Sequence, residues 1–311
     1  MLTNHYTWEE IGKIFIKKLM AYNSFQNKGE IIRFYKWFCS KSHFQKLAFD
    51  CRVYFSAFKV SERFQRKQDC VTVIDGAEGS GKTTFAMNYA ALISPDFDLD
   101  DVCFGSIKFL KKLRYIKPGQ TVLADEGANF LFSRESNKKS NTDVIKMLTM
   151  VRCKRGNIIV NIPNFHIIDN YLRDHRVKLL VHIIKRGYHK VINEKGIKII
   201  SKLGGKHKEI NNIRLNSKFF FNGNFNKGFP NTLDEQEYEK MKDDYVNDSL
   251  DTMIQNTGEK SKFVQVGKAA KKTGLSNEVI ISRIKNKDIE GKRIGGMYYI
   301  TRESYESLLK L

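Results

Sequence analysis

The chain has 311 residues, 54 Lys and Arg against 34 Asp and Glu, and a formal net charge of +20. That length exceeds one minimal core and suits two domains, or one domain with appendages. A composition 41% hydrophobic and 28% charged is that of a globular chain in water, and only four prolines exclude a long Pro-rich linker.

The excess of positive charge favours a polyanionic partner: DNA, RNA or an anionic membrane surface. The competing source is a compositional bias toward Lys, Asn, Ile and Phe, and DNA contact is the favoured expectation. The cysteines Cys39, Cys51, Cys70, Cys103 and Cys153 are scattered without a CxxC pair. This argues against structural zinc or a disulfide framework and for reduced thiols in a cytosol. No signal peptide is visible and no apolar run is long enough to cross a bilayer. The stretch Ile11–Met20 is broken by Lys13, Lys17 and Lys18 and reads as an amphipathic helix. A cytoplasmic location is expected.

Residues 1–69 read as helical, with Trp8, Ile11, Ile14, Phe15 and Leu19 at helical spacing and Ile31, Phe34, Tyr35 and Phe38 continuing the pattern. Their basic residues form either a surface for DNA or a partner, or the solvated face of a helical cap. From Cys70 the texture changes. Strands are predicted at Cys70–Ile74, Val102–Phe104, Thr121–Ala124, Asn157–Ile162 and Val177–Ile184. Helices are predicted at Lys82–Leu92, Ser106–Tyr115, Thr142–Cys153 and, shorter, Ile168–Asp174. Such alternation implies a parallel sheet with helices on both faces. Val191–Phe221 looks β-rich, with turns at Glu194–Gly196 and Gly204–Gly205. Residues 231–262 are acidic and read as a helix over Leu233–Tyr245 followed by a linker.

The run Gly76-Ala77-Glu78-Gly79-Ser80-Gly81-Lys82-Thr83, followed by Thr84, fits G-x-x-x-x-G-K-[ST]. The apolar run Val71–Ile74 leads into it and a helix-like run follows it, as a phosphate-binding loop requires. Glycines let the backbone close around phosphate, and the helix N-terminus adds partial positive charge. ATP and Mg²⁺ are therefore expected. Lys82 would reach the β/γ-phosphates and Thr83 would offer its hydroxyl to Mg²⁺. The alternative is an ordinary Gly-rich strand–helix turn. One strand–helix unit later, Thr121-Val-Leu-Ala-Asp125-Glu126 ends an apolar strand in two carboxylates. This resembles a Walker B motif, with Asp125 holding the metal and Glu126 polarising the attacking water. The Val102–Phe104 strand between the two motifs implies that their strands are not neighbours, which favours a hydrolytic switch or motor over a small-molecule kinase.

Beyond Asp125 the order Asp125-Glu-Gly-Ala-Asn-Phe-Leu-Phe132, a helix to Val151-Arg152-Cys-Lys-Arg155-Gly-Asn157, the strand to Asn161-Ile-Pro-Asn164, and Ile168-Asp-Asn-Tyr-Leu-Arg173 resembles the FtsK/HerA-like ATPases and, within them, the Zot-like phage and plasmid ATPases. The resemblance covers roughly Cys70–Ile184. It implies a ring-forming motor or morphogenesis ATPase acting on DNA or phage particles, hence a homo-oligomer, in the host cytoplasm if viral. It implies a polar sensor near the end of the fourth strand, here Asn161 or Asn164. An arginine finger is sought among Arg134, Arg152, Arg155, Arg173 and Arg176, with Arg152 and Arg155 favoured. Zot-like proteins often carry a membrane span, and none is visible here.

Residues 263–311 read as a helix over Gln265–Thr273, a turn at Gly274–Ser276, a second helix over Asn277–Lys285, a hairpin across Ile289–Ile300 and a last helix capped by Thr301. This is similar to the excisionase/MerR-type winged helix. The resemblance implies that Asn277, Ser282, Arg283 and Lys285 face DNA, with Lys292 and Arg293 on the wing touching phosphate. The alternative is a winged helix used for protein contact.

The expected fold is thus α/β. A P-loop NTPase core with a mostly parallel sheet and β-rich tail (70–230) follows a helical N-terminal region (1–69). An acidic helix and linker (231–262) and a small winged helix-turn-helix (263–311) complete it. The expected function is an ATP-hydrolysing, DNA-associated ATPase of a virus or mobile element, of the translocation or packaging type. The alternatives are a non-motor ATP-dependent DNA recruiter and a Zot-like morphogenesis ATPase.

Overall fold

The computed structural model describes residues 6–42, 48–127, 146–203, 210, 213–294 and 297–309, with the backbone alone for 252–262 and 294. Arg134, the Ala128–Phe132 part of the family resemblance, the start of the Thr142–Cys153 helix and the turns at Gly204–Gly205 and Gly295–Gly296 lie outside the described residues. The chain divides into two compact units, Met1–Tyr238 and Glu239–Leu311.

The first unit opens with three helices, α1 (Trp8–Ala21), α2 (Lys28–Cys39) and α3 (Cys51–Gln65). Each has a side-chain cap on its first turn: Thr7 in a capping box with Glu10, then Asn27 and Asp50. Their apolar stripes meet in an aromatic core of Phe15, Phe34, Phe38, Tyr54 and Phe58, all 3% exposed or less. Their charges are partly committed to each other. Glu30 and Glu62 are buried, with Lys59 bridging both and Arg33 on Glu62.

A seven-stranded sheet follows, in the order β2–β3–β4–β1–β5–β6–β7. Its strands are β1 (Cys70–Gly76), β2 (Val102–Cys103), β3 (Thr121–Ala124), β4 (Asn157–Ile162), β5 (Val177–Lys185), β6 (Tyr188–Asn193) and β7 (Phe220–Asn224). The pairs β2–β3, β3–β4, β4–β1 and β1–β5 are parallel, and β6 and β7 are antiparallel additions. Strands buried on both faces read as continuous apolar runs, and β1, β3 and β4 are buried throughout.

The helix α4 (Lys82–Ile93) is buried along almost its whole length, between α3 and strands β1, β3 and β4. On the opposite face, Phe109 and Leu113 of α5 (Ser106–Tyr115) and Ile197 and Ile200 of α6 (Glu194–Lys202) join Val71, Val73, Ile158, Val160 and Leu180 in one core.

Four local expectations change. The motif strands β1 and β3 are indeed not neighbours, but β4 separates them, and the short β2 lies at the sheet edge. Glu194–Gly196 is not a turn. Asn193 Oδ1 accepts the Gly196 N–H at 3.0 Å and starts α6, whose Ile197 and Ile200 reach the core. The Ile168–Asp174 helix is instead a 3-10 turn at Phe165–Ile167 and a π-helical turn at Leu172–Arg176. The acidic helix α7 (Glu235–Lys262) continues through the segment expected to be a linker.

In the second unit, β8 (Phe263–Gln265) and β9 (Gly291–Ile294) flank β10 (Met297–Thr301) in an antiparallel sheet. The helices are α8 (Val266–Thr273), α9 (Asn277–Lys285) and α10 (Arg302–Leu309). Gly274 ends α8 in the left-handed region, and Ser276 caps α9. Val266, Ala269, Ile280, Ile300 and Leu308 form its core. Among the described residues, no helix is long and apolar enough to cross a membrane.

Candidate functional site

The site lies where β1, β3 and β4 end, the usual place for a ligand in an open parallel sheet. Gly76 ends β1 at φ +146°, and a Cβ there would come within 2.6 Å of Ile183 O. Gly79 and Gly81 also take left-handed φ values, +68° and +94°, so all three loop glycines hold conformations that other residues resist. Gly81 caps α4 through its carbonyl, which accepts the Phe85 N–H at 3.0 Å. Ala77 O accepts from Ser80 N at 3.3 Å, and Glu78 is exposed at the tip. Thr84 is buried in the first turn of α4.

Lys82 folds back onto the loop, donating from Nζ to Gly76 O at 2.9 Å and Ala77 O at 2.8 Å. Burial pushes its ammonium below the ordinary range, and Glu126, Asp125, Asp75 and Glu78 oppose that shift.

Asp125 is 2% exposed, and its N–H is fixed by Cys103 O at 3.0 Å. Three side chains converge on its carboxylate. Thr83 Oγ1 approaches the two oxygens at 3.3 and 3.4 Å, Asn161 Nδ2 donates to Oδ1 at 2.7 Å, and the Tyr238 hydroxyl donates to Oδ2. Glu126 faces solvent from a left-handed backbone at φ 56°. For a non-glycine residue this backbone conformation costs about 1–2 kcal/mol.

The donor set fits a nucleoside triphosphate with Mg²⁺. Mg²⁺ is held by few protein oxygens plus phosphate and water, and here a hydroxyl and a carboxylate already face each other under the loop. Among the described residues, the buried Ser80 Oγ and Asn161 Oδ1 have no hydrogen-bond partner. Both belong to this site, and each can serve a ligand.

Of the two sensor candidates, Asn161 is at the site. Asn164 turns its Oδ1 to the His166 N–H at 2.8 Å and caps the following turn. Arg152 and Arg155 are not at the site. They precede Asn157, which pairs with Cys70 at the opposite end of the strands from Gly76. At about 3.3 Å per residue this is roughly 16 Å away along β4. Arg173 holds Asn170 Oδ1 at 2.8 Å, and Arg176 is buried against Asp69.

Sequence reasoning missed four neighbours of the loop. Asp75, buried directly before Gly76, accepts the Phe165 N–H at 3.1 Å and pairs with His182 Nδ1 at 2.8 Å. An acid ending an apolar strand just before the first loop glycine was a visible signal. Arg186, in the β5–β6 turn, lies beside Gly81, where a Cβ would meet its Cγ at 3.6 Å. Tyr238 lies 113 positions from Asp125, and nothing local marks it.

In the second unit, Asn277, Ser282 and Lys285 are exposed on α9, and Arg283 is half-buried. On β9, Arg293 is exposed over the Tyr298 ring and Lys292 is half-buried over Phe263.

The sheet order, the loop and the paired Thr83 and Asp125 define a P-loop NTPase-like α/β core. No protein-family model and no curated protein sequence matches the chain. Among solved structures it is similar to the N-terminal domain of zonular occludens toxin from Neisseria meningitidis, at 19% identity and a TM-score of 0.31, over 40% of this chain and 83% of that one.

Proposed function

We propose that the protein is an ATP-hydrolysing, DNA-associated ATPase of a virus or mobile element, working as a DNA translocase or packaging-type motor. The observation that carries the ATPase reading is the meeting of Thr83 with Asp125 directly under the loop Gly76–Thr83. Loop N–H groups and the α4 N-terminus bind phosphate, and Lys82 leaves the Gly76 and Ala77 carbonyls for phosphate oxygens. Thr83 and Asp125 hold Mg²⁺, which when bound neutralises charge on the phosphates. Glu126 orients and deprotonates the attacking water, and Asn161 links the end of β4 to Asp125.

The DNA part is supported by the net charge of +20 and by Asn277, Ser282, Arg283, Lys285, Lys292 and Arg293 on α9 and the hairpin. Arg152 and Arg155 lie too far along β4 to reach their own loop. A finger role for either would have to be played toward a neighbouring copy, so that role requires a homo-oligomer, a ring among the options.

A second reading is a non-motor ATP-dependent DNA recruiter. It is favoured by the contact of Tyr238, in the first turn of α7, with Asp125. The ATPase rate with and without duplex DNA, measured alongside particle size on a column, separates the two. A rate that climbs with DNA length in an oligomer supports the motor. Slow turnover that gates DNA binding supports the recruiter. A rate indifferent to DNA, with no DNA binding at low salt, removes both and points to a morphogenesis ATPase.

A further inference from the structure

The first turn of α7 is firmly placed. Asp234 Oδ1 accepts the N–H groups of Gln236 at 2.8 Å and Glu237 at 3.2 Å, capping the helix. The chain before it is tied down by Asn226 N–H on Ala48 O at 2.8 Å and by Asn88 Nδ2 on Gly228 O at 2.9 Å. One turn into α7, Tyr238 is 1% exposed. Its ring contacts Phe104 and Phe229, with centroids 5.8 and 5.3 Å away. A buried phenol needs a partner for its hydroxyl. Here the partner is Asp125, the carboxylate that Thr83 and Asn161 also hold.

We propose that Tyr238 is a positioning residue for the metal site: its hydroxyl holds the Asp125 carboxylate toward Thr83, so that Mg²⁺–nucleotide loading and the seating of the first turn of α7 stabilise each other. The proposal rests on the reading of the loop as an ATP and Mg²⁺ site. Three donors from three elements fix the carboxylate: Thr83 on α4, Asn161 on β4 and Tyr238 on α7. A carboxylate has about four acceptor positions, so these donors leave room on the metal side. Hydrogen bonds behind a metal-site carboxylate set its orientation, and removing one weakens metal affinity about 10- to 100-fold. Linkage makes the effect mutual: if a seated α7 tightens the site, a loaded site tightens the seat of α7. By sequence, α7 is also the segment that carries the chain from the sheet to Phe263, so the nucleotide state acts on the helix that leads out of the core.

Tyr238→Phe keeps the ring between Phe104 and Phe229 and deletes one oxygen. In the full chain, a fluorescent, slowly hydrolysed ATP analogue is titrated in EDTA and at increasing Mg²⁺. The expected result is unchanged affinity in EDTA and about a tenfold rise in the Mg²⁺ concentration for half-maximal tightening. Hydrogen exchange gives the second readout. Mg²⁺–analogue slows exchange over residues 235–245 in the wild type and does not in Tyr238→Phe. Asp234→Ala, which loosens the start of α7 without touching Asp125, shifts the Mg²⁺ dependence in the same direction. Wild-type Mg²⁺ dependence and protection in Tyr238→Phe overturn the positioning role and leave the ATP site standing. A wild-type chain that binds the analogue no better than Lys82→Ala overturns the ATP reading, and this proposal with it.

Discussion

Thr83 Oγ1 stands 3.3 and 3.4 Å from the two carboxylate oxygens of Asp125, across 42 positions of chain. The first residue opens the helix after the loop, and the second ends β3. They meet because β4, pairing with β1 on one side and β3 on the other, brings both strand ends to the same edge. A hydroxyl and a carboxylate so placed under a ring of left-handed glycines are suited to a divalent cation carrying phosphate.

Lys82→Ala removes the only side-chain cation of the loop itself. The expected outcome is a fall in ATP turnover of at least about 100-fold, the scale of losing one preorganised charge-stabilising group. Because Lys82 Nζ donates to the backbone carbonyls Gly76 O and Ala77 O rather than closing an ion pair, the variant should melt near the wild-type temperature. Steady-state phosphate release and a thermal melt check the two halves.

Glu126→Gln keeps the size and the exposed, left-handed setting of the side chain but removes its basicity. It should bind ATP as the wild type does and hold it unhydrolysed, with turnover down about 10²- to 10⁴-fold. A wild-type rate in this variant would remove Glu126 from the water-activating role.

Gly76 and Gly79 should respond differently to alanine. At Gly76 the added carbon would lie 2.6 Å from Ile183 O, on top of a strained φ of +146°. The expected cost is about 1–3 kcal/mol of folding stability. At Gly79 nothing lies within 4 Å, and only the φ of +68° resists. That cost is about 1–2 kcal/mol, and the effect falls mainly on nucleotide affinity. Denaturant melts and nucleotide titrations of the pair separate fold from loop.

Much of this site is legible in the chain because its parts are local. Gly76–Thr83 and Thr121–Glu126 each combine a strand pattern with residues that have chemistry at fixed offsets, and the strands around them are continuous apolar runs. What is not legible is pairing. Which strand separates β1 from β3 depends on non-local packing, and so does the distance from the loop of Arg152 and Arg155, which a linear reading places just before a promising strand. Glu194–Gly196 carried turn residues, yet Asn193 and Glu194 are equally good at starting a helix, and Ile197 and Ile200 decided the matter by reaching the core. Tyr238 carries no local signal. Its role emerges only when α7 brings it against Asp125.

His189 should make the fold acid-sensitive. It is fully buried among Phe85, Phe225 and Phe221, with ring centroids 5.1, 6.0 and 6.3 Å away. Burial, helped by the Arg52 charge, lowers its pKa to about 3. Between that value and the ordinary one near 6.5, the unfolded chain takes up a proton that the folded chain refuses. Stability therefore drops as pH falls through this window, by up to about 1.4 kcal/mol per pH unit. His189→Phe, which suits the aromatic surroundings, should flatten the dependence. Denaturant melts at pH 7, 6 and 5 measure both slopes, and equal slopes would show that His189 takes up its proton alike in the folded and unfolded chains.

DNA binding by the second unit should be electrostatic and graded. For the full chain, the logarithm of affinity for duplex DNA should fall linearly with the logarithm of salt concentration, at about 0.9 per phosphate contact. Arg293 is exposed on β9 and Lys292 is half-buried beside it, and the proposed interface puts both against phosphate. Alanine at either should weaken binding to all sequences alike and reduce the slope by about 1. Asn277→Ala and Arg283→Ala on α9 should instead alter discrimination between sequences by about 1–3 kcal/mol while leaving the slope for Asn277→Ala intact. Salt titrations on two unrelated duplexes distinguish the outcomes, and wild-type slopes in both hairpin variants would take the hairpin out of the interface.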